Sequence, residues 1–254
     1  MKIAICISGH LRHYKNIKDK YESFISYLKN LGDVDIFVAT WNKQNTLNSW
    51  SHAHGISNPT TSLITVQPNE VLEHFGAKKV ILFDYDFHSS DYSPISFKNY
   101  TSYFYNWDKR GIGGNVINSS KMFFLINECN KLKKQSEYIN NELYDVVFRI
   151  RPDYEFFDDK FDYMPLKHVN PQCIYSPRPY PESPLIDDQF AFGDSKAMDL
   201  YSSTINTMAI CFQNKIFGSP ETILKISCAN IFNLTGITIQ TVGCLGSDIT
   251  SFKR

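Results

Sequence analysis

Apolar and polar positions alternate along the chain in a way that predicts strands and helices in turn. Residues 2–8 are a β-branched apolar run, the mark of a strand buried on both faces. Leu11, Tyr14, Ile17, Tyr21, Phe24, Ile25, Leu28 and Leu31 then recur every three or four residues, which predicts one amphipathic helix closed by Gly32. Residues 34–40 return to strand pattern. Residues 41–62 read as a polar loop, Asn69 as the cap of a helix over 70–75 stopped by Gly76, and 78–83 as a third strand. Residues 84–115 lack periodicity, 116–137 read as a long helix, and 144–151 as a fourth strand.

Six prolines then fall between Pro165 and Pro184, which predicts shaped surface loop rather than helix or central strand. Residues 189–193 read as a short strand. Asp194 caps a helix carrying Met198, Tyr201, Ile205 and Met208, Ser219-Pro220-Glu221 opens another that runs to about 232, and 237–242 form a last strand. Strands alternating with helices predict an α/β fold with a mostly parallel central sheet flanked by helices. No repeat or low-complexity linker divides the 254 residues, so one domain is expected.

Composition narrows the partners. Lys+Arg and Asp+Glu both number 26, so the chain has no basic footprint for nucleic acid. No stretch reaches the roughly 18–20 apolar residues of a membrane span. The six cysteines form no C-x-x-C pair, and the N-terminal apolar run is too short for a signal peptide; a cytoplasmic location with reduced thiols is expected. Of the 26 cationic residues only six are Arg, which makes their positions informative.

The sharpest chemical pattern is Arg149-Ile150-Arg151-Pro152-Asp153, which closes the fourth strand. Alternation puts both arginines on one face, at the edge where open α/β sheets bind ligands. Guanidiniums there suit phosphate, and Asp153 suits a hard cation bridging it. The same residues would equally make an ion-pair network closing the strand. Asp187 and Asp188, just before Phe190-Ala191-Phe192-Gly193, place a general base in a cleft or merely cap a loop. Ser8-Gly9-His10-Leu11-Arg12 forms a tight turn offering N–H groups to an anion. Thr40-Trp41 ends the second strand on the same edge, where Trp41 would stack on a base or pack inside. Asp84-Tyr85-Asp86 is a rival metal–diphosphate pattern, or a pair of solvated loop acids.

Taken in order, Ser8–Arg12, Asp35-Ile36-Phe37 with Thr40-Trp41, Tyr144–Asp153, Asp187–Gly193 and Ser219-Pro220-Glu221 resemble a bacterial and viral group of glycosyltransferases similar to the WavE-type lipopolysaccharide and capsule enzymes. The resemblance implies a single-domain, GT-A-like Rossmannoid fold, with residues 1–115 as nucleotide-binding half and 116–254 as diphosphate and acceptor half. It implies transfer of a sugar from a nucleotide-diphosphate sugar to a glycan or lipid-linked acceptor in surface polysaccharide synthesis. Ser8, Gly9, His10, Arg12, Thr40 and Trp41 would hold the nucleotide, and Arg149, Arg151 and Asp153 the diphosphate. Arg151-Pro152-Asp153 would replace the usual Asp-x-Asp, with Asp153 the ligand if Mg²⁺ or Mn²⁺ is used, and Asp84 and Asp86 the alternative. Asp188 or Asp187 would act as base. Tyr175, Arg178 and Tyr180 would line the acceptor side, and the protein would lack a membrane span yet be able to associate peripherally with a membrane. A non-catalytic nucleotide- or carbohydrate-binding module is the other reading.

Overall fold

The computed structural model describes residues 1–12, 14–44, 64–89, 116–154, 166, 169–177, 186–214, 220–235 and 238–241. Strands β1 (Lys2–Ser8), β2 (Asp33–Trp41), β5 (Lys79–Phe83), β6 (Val146–Ile150), β7 (Cys173–Ser176), β8 (Phe190–Gly193) and β9 (Thr238–Thr241) build one seven-stranded sheet in the order β5-β2-β1-β6-β8-β7-β9. A two-stranded ribbon, β3 (Lys43–Gln44) with β4 (Ile64–Thr65), stands apart, its first strand inside the stretch 41–62 expected as loop and its second just beyond it. The sheet is parallel except at β8, which runs against both β6 and β7. The architecture is therefore α/β with a mostly parallel central sheet, as the alternation of periods predicts.

Helices α1 (Lys18–Lys29) and α2 (Pro68–Phe75) cover one face. Ile3, Ile5 and Ile7 of β1, Phe148 and Ile150 of β6, and Phe190 and Phe192 of β8 pack there against Phe24, Leu28, Val71 and Phe75. Helices α4 (Val116–Asn140), α5 (Ser195–Ser202), α6 (Thr204–Gln213) and α7 (Pro220–Thr235) belong to the other face. That face is lined by small sheet residues, Ala4, Cys6, Ala39 and Ala191, with Phe123, Ile126 and Cys129 of α4 packed over them. Small residues let a helix approach closely, and the Cys129 thiol donates to the carbonyls of Ile7 and Phe37 at 3.4 and 3.3 Å.

Several boundaries depart from the sequence reading. The helix expected over 11–31 begins only at Lys18. Leu11 precedes it and Tyr14 lies in a 3₁₀ turn, Tyr14–Ile17, so both are buried without extending the α-helix. Asn30, not Gly32, caps α1; Gly32 is needed because a Cβ there would stand 1.9 Å from the Met1 carbonyl oxygen. Gln67 rather than Asn69 precedes α2, with Pro68 at its first position, and Gly76 closes it in the left-handed conformation. α4 extends to Asn140, and Asn141 follows at φ 51°, a left-handed exit that asparagine tolerates.

β7 is the main error of expectation, since it is a strand between two others inside the proline-rich segment. Pro171 and Pro177 bracket Cys-Ile-Tyr-Ser without entering the ladder. The helix after Asp194 is in fact two, α5 and α6, broken at Ser203, and Asp194 does accept from the Ala197 N–H at 2.7 Å. Ser219 lies outside the described residues.

A buried ionic network joins α4 to α5. Lys133 Nζ, wholly buried, reaches Ser195 Oγ at 2.5 Å, Asp199 at 2.9 Å and Glu137 at 3.1 Å. Ser195 donates to Glu137 at 2.5 Å, Glu137 accepts the Tyr144 N–H at 3.1 Å, and Asn130 donates to Asp199 at 2.8 Å. Among the described residues no helix is long and apolar enough to cross a membrane.

Candidate functional site

In the order β5-β2-β1-β6, the first four strands of the doubly wound arrangement lie 3-2-1-4. The chain steps outward from β1 to β2 and β5, then returns to the far side of β1 as β6. In open α/β sheets such a switch point is where the ligand crevice lies, here beyond the carboxyl ends of β1 and β6. Because β8 is reversed, it brings its beginning to this edge, so Asp187 and Asp188 meet residues that follow β1 and β6.

Gly9 sets the spacing of the crevice. Its φ is +137°, and a Cβ there would come 3.1 Å from Pro152 Cδ and 3.2 Å from Arg151 Cγ. A side chain is disfavoured both by conformation and by the loop across the crevice. Thr40 is buried and donates from Oγ1 to the Gly9 carbonyl at 2.7 Å, so it holds the turn rather than facing a ligand.

Arg149 and Arg151 divide the work expected of them jointly. Arg149 is buried between Cys6 and Ala191 in the register. It donates from Nη1 to the Gln189 carbonyl at 2.5 Å and from Nη2 to the Ser8 carbonyl at 3.4 Å. The Arg151 N–H donates to the same Gln189 carbonyl at 2.8 Å. Arg149 thus ties together three segments of the site, and the expectation that it binds diphosphate is corrected by its burial and its backbone partners. Arg151 is partly exposed and pairs through Nε with Asp153. Burial opposes its charge, but Asp153 and then Asp188 outweigh it and raise its pKa.

Asp187 and Asp188 are both buried. The Asp187 N–H donates to Ser176 Oγ at 3.0 Å, its carboxylate accepts the Gln189 N–H at 2.6 Å, and its carbonyl accepts the Tyr201 hydroxyl at 3.3 Å. Burial, reinforced by the Asp188 charge, lifts the Asp187 carboxyl to about 7, against the pull of the Gln189 N–H, Arg151 and Arg149. A carboxyl poised there can give or take a proton near neutrality.

Across the crevice, the His10 ring lies 5.1 Å from Tyr85 and 6.4 Å from Trp41. Burial, then the charges of Arg12 and Lys121, push His10 down to about 3, so it is neutral at pH 7. Arg12 is partly exposed, and its guanidinium has no hydrogen bond or ion pair among the described residues. Burial weighs against its charge and Asp153 supports it. Three buried polar atoms around the crevice, Ser8 Oγ, His10 Nδ1 and Arg149 Nε, have no hydrogen-bond partner among the described residues.

Other expected site residues stand elsewhere. Trp41 is 1 % exposed, stacked on Phe124 at 6.1 Å and edge-on to Phe83 and Tyr85, so it is core and offers no face to a base. Tyr175 is also core: its ring stacks on Phe192 at 4.9 Å and its hydroxyl accepts the Asn170 N–H, which removes it from any acceptor surface. Asp84 accepts the Phe87 N–H at 2.8 Å and so opens a short helix, α3 (Tyr85–Ser89), while Asp86 pairs with Lys43. Both carboxylates are exposed, and each has a partner within the chain. Arg178 and Tyr180 lie outside the described residues. Two site neighbours carry no motif in the sequence: Ser176 acts through its hydroxyl, and Lys121 sits in a helix with no distinguishing spacing, while Gln189, inside the Asp187–Gly193 block, acts through its backbone.

The donor set does not fit a divalent ion held by protein alone. Asp153 is closed on Arg151, Asp187 and Asp188 sit among guanidiniums, and among the described residues no group of three His, Cys, Asp or Glu could hold a metal. The arginines can supply the positive charge that a bound phosphate needs. No protein-family model matches the chain, and no curated protein matches it.

Proposed function

We propose that the chain is a GT-A-like glycosyltransferase that moves a sugar from a nucleotide-diphosphate donor to a hydroxyl of a glycan or lipid-linked acceptor in surface polysaccharide synthesis. The observation that carries this reading is the convergence of Arg12, Arg151, Asp153, Asp187 and Asp188 on the crevice between β1 and β6. Arg12 is open to an anion, and opening of the Arg151–Asp153 pair would free a second guanidinium for the leaving diphosphate. Charge placed in advance where it develops is the largest catalytic term such a site can supply. Asp188, or Asp187 with its pKa near neutrality, would take the acceptor hydroxyl proton as the new glycosidic bond forms.

One observation favours a second reading, a binding module without turnover: Arg151 is closed on Asp153 and Arg149 is spent on backbone carbonyls. The experiment that tests the proposal measures turnover of a panel of nucleotide sugars by the wild type, Asp153→Ala and Asp188→Asn. Turnover that falls in both variants supports transfer. Full activity in both variants sinks the assignment, and UDP or GDP binding without turnover of any donor selects the module.

A further inference from the structure

Lys121 belongs to no motif, yet its surroundings are unusual for a lysine. It lies near the start of α4, at the carboxyl edge of the sheet, only 6 % exposed. Its Nζ sits 4.4 Å from the centre of the Tyr85 ring. Tyr85 in turn meets the His10 ring edge-on at 5.1 Å, and His10 follows directly on the Gly9 turn. His10 feels both Arg12 and Lys121, while Arg12 feels the Tyr85 oxygen. Two cations from different elements, one two residues after His10 and one seated over Tyr85, therefore act on the same pair of rings. Beside them Ser8 Oγ, wholly buried, and His10 Nδ1 have no hydrogen-bond partner among the described residues.

We propose that Lys121 and Arg12 are the two cationic walls of an oxyanion subsite built over Tyr85 and His10, which takes the diphosphate of the ligand. This rests on the reading of the crevice as a diphosphate site and names the groups that would grip it. An anion over the rings would gain a compact ammonium on one side and a planar guanidinium on the other. His10 stays neutral between them and adds no third charge.

Burial alone lowers the Lys121 ammonium to about 8, so part of it is deprotonated in mildly alkaline solution and an arriving anion draws a proton back. Among the described residues Tyr85 and His88 from α3 and His10 from the turn after β1 face it, Arg12 acts on the same His10, and Glu128, further along α4, and Asp84 act on His88. Asp187 also titrates near the crevice, so the proton count is read as a difference between variants.

The test is calorimetric titration of the intact chain with pyrophosphate at pH 8, in buffers of different ionisation enthalpy, for wild type, Lys121→Met, Lys121→Arg and Arg12→Met. Removing either charge should weaken binding about tenfold or more. Lys121→Arg should keep affinity within about threefold but take up about half a proton less than wild type, since arginine stays charged. Wild-type affinity in Lys121→Met, equal proton uptake in Lys121→Arg, or no pyrophosphate binding by the wild type each overturns the subsite. If Lys121→Met does not fold by circular dichroism, the proton count of Lys121→Arg decides. A chain that shows this pattern yet turns over no nucleotide sugar keeps the subsite and loses the transferase reading.

Discussion

Two clusters of buried charge among the described residues are built differently. Between α4 and α5, Lys133 is surrounded by Glu137, Asp199 and Ser195, and only Asn130 Oδ1 in that neighbourhood lacks a partner among the described residues. At the crevice three arginines and three aspartates gather, one carboxyl is lifted to about 7, and among the described residues the Arg12 guanidinium has no partner and three polar atoms are unsatisfied. Both clusters are inaccessible enough to cost desolvation. What separates them is satisfaction: a network whose donors and acceptors match each other holds helices together, whereas one with leftover valence is poised for something not yet present.

The sharpest way to break this contrast is to damage the satisfied network. Lys133→Met would leave buried Glu137 without its cation, and Asp199 with only the exposed Lys134, and should cost about 3–5 kcal/mol of stability. Urea unfolding reads this directly, and a loss below about 1 kcal/mol would mean that the network is dispensable. The opposite signature is expected of Asp188→Asn: turnover of the donor falls on the order of 100-fold while the unfolding midpoint barely moves.

Arg149→Met lies between the two. It strips hydrogen bonds from the Ser8 and Gln189 carbonyls, so about 2–3 kcal/mol of stability should go together with pyrophosphate affinity. Unchanged affinity in a folded Arg149→Met would show that the clamp does not set the site.

Asp187 offers a pH test. Its folded pKa, about 7, lies above that of an unfolded aspartate, so the folded state holds the proton more tightly. The stability it lends is full below about pH 4 and is lost as pH rises through 7. Asp187→Asn should therefore flatten the stability profile over that window, gaining on wild type by something on the order of 2 kcal/mol at its upper end. Parallel profiles for the two proteins would contradict the assigned shift. The smallest effect is expected at Asp86, an exposed partner of Lys43: Asp86→Ala should change stability by less than about 0.5 kcal/mol and leave turnover intact. A large loss of turnover there would favour the rival metal pattern.

The strands of the parallel half are legible because runs such as Ile3–Ile7 and Val146–Ile150 are apolar enough to be buried on both faces. β7 is hidden because proline counts describe a segment, and Pro171 and Pro177 fall just outside the four residues that pair. The apolar periodicity continues through Leu11 and Tyr14, ahead of α1, because burial is set by the sheet beneath, not by helical hydrogen bonding. At the site, the Arg-x-Arg spacing and the Asp pair can be read in the chain. Which arginine turns inward cannot, since that follows from Cys6 and Ala191 beside it in the register. The solvent-averse position of Lys121 is likewise invisible until α3 and α4 are brought together.

The reversed strand β8 has a consequence in time. Its pairing with β6 joins residues about forty positions apart, and the intervening β7 docks on its other side. The β1–α1–β2 unit closes over a comparable 31 positions, whereas β1 and β6, the strands that flank the pocket, meet across 143. Local units form before distant pairings, because the longer loop costs more entropy to close. The pocket is thus expected to be the last region to mature: a refolding chain would acquire most of its sheet first and its ligand affinity in a slower, later phase.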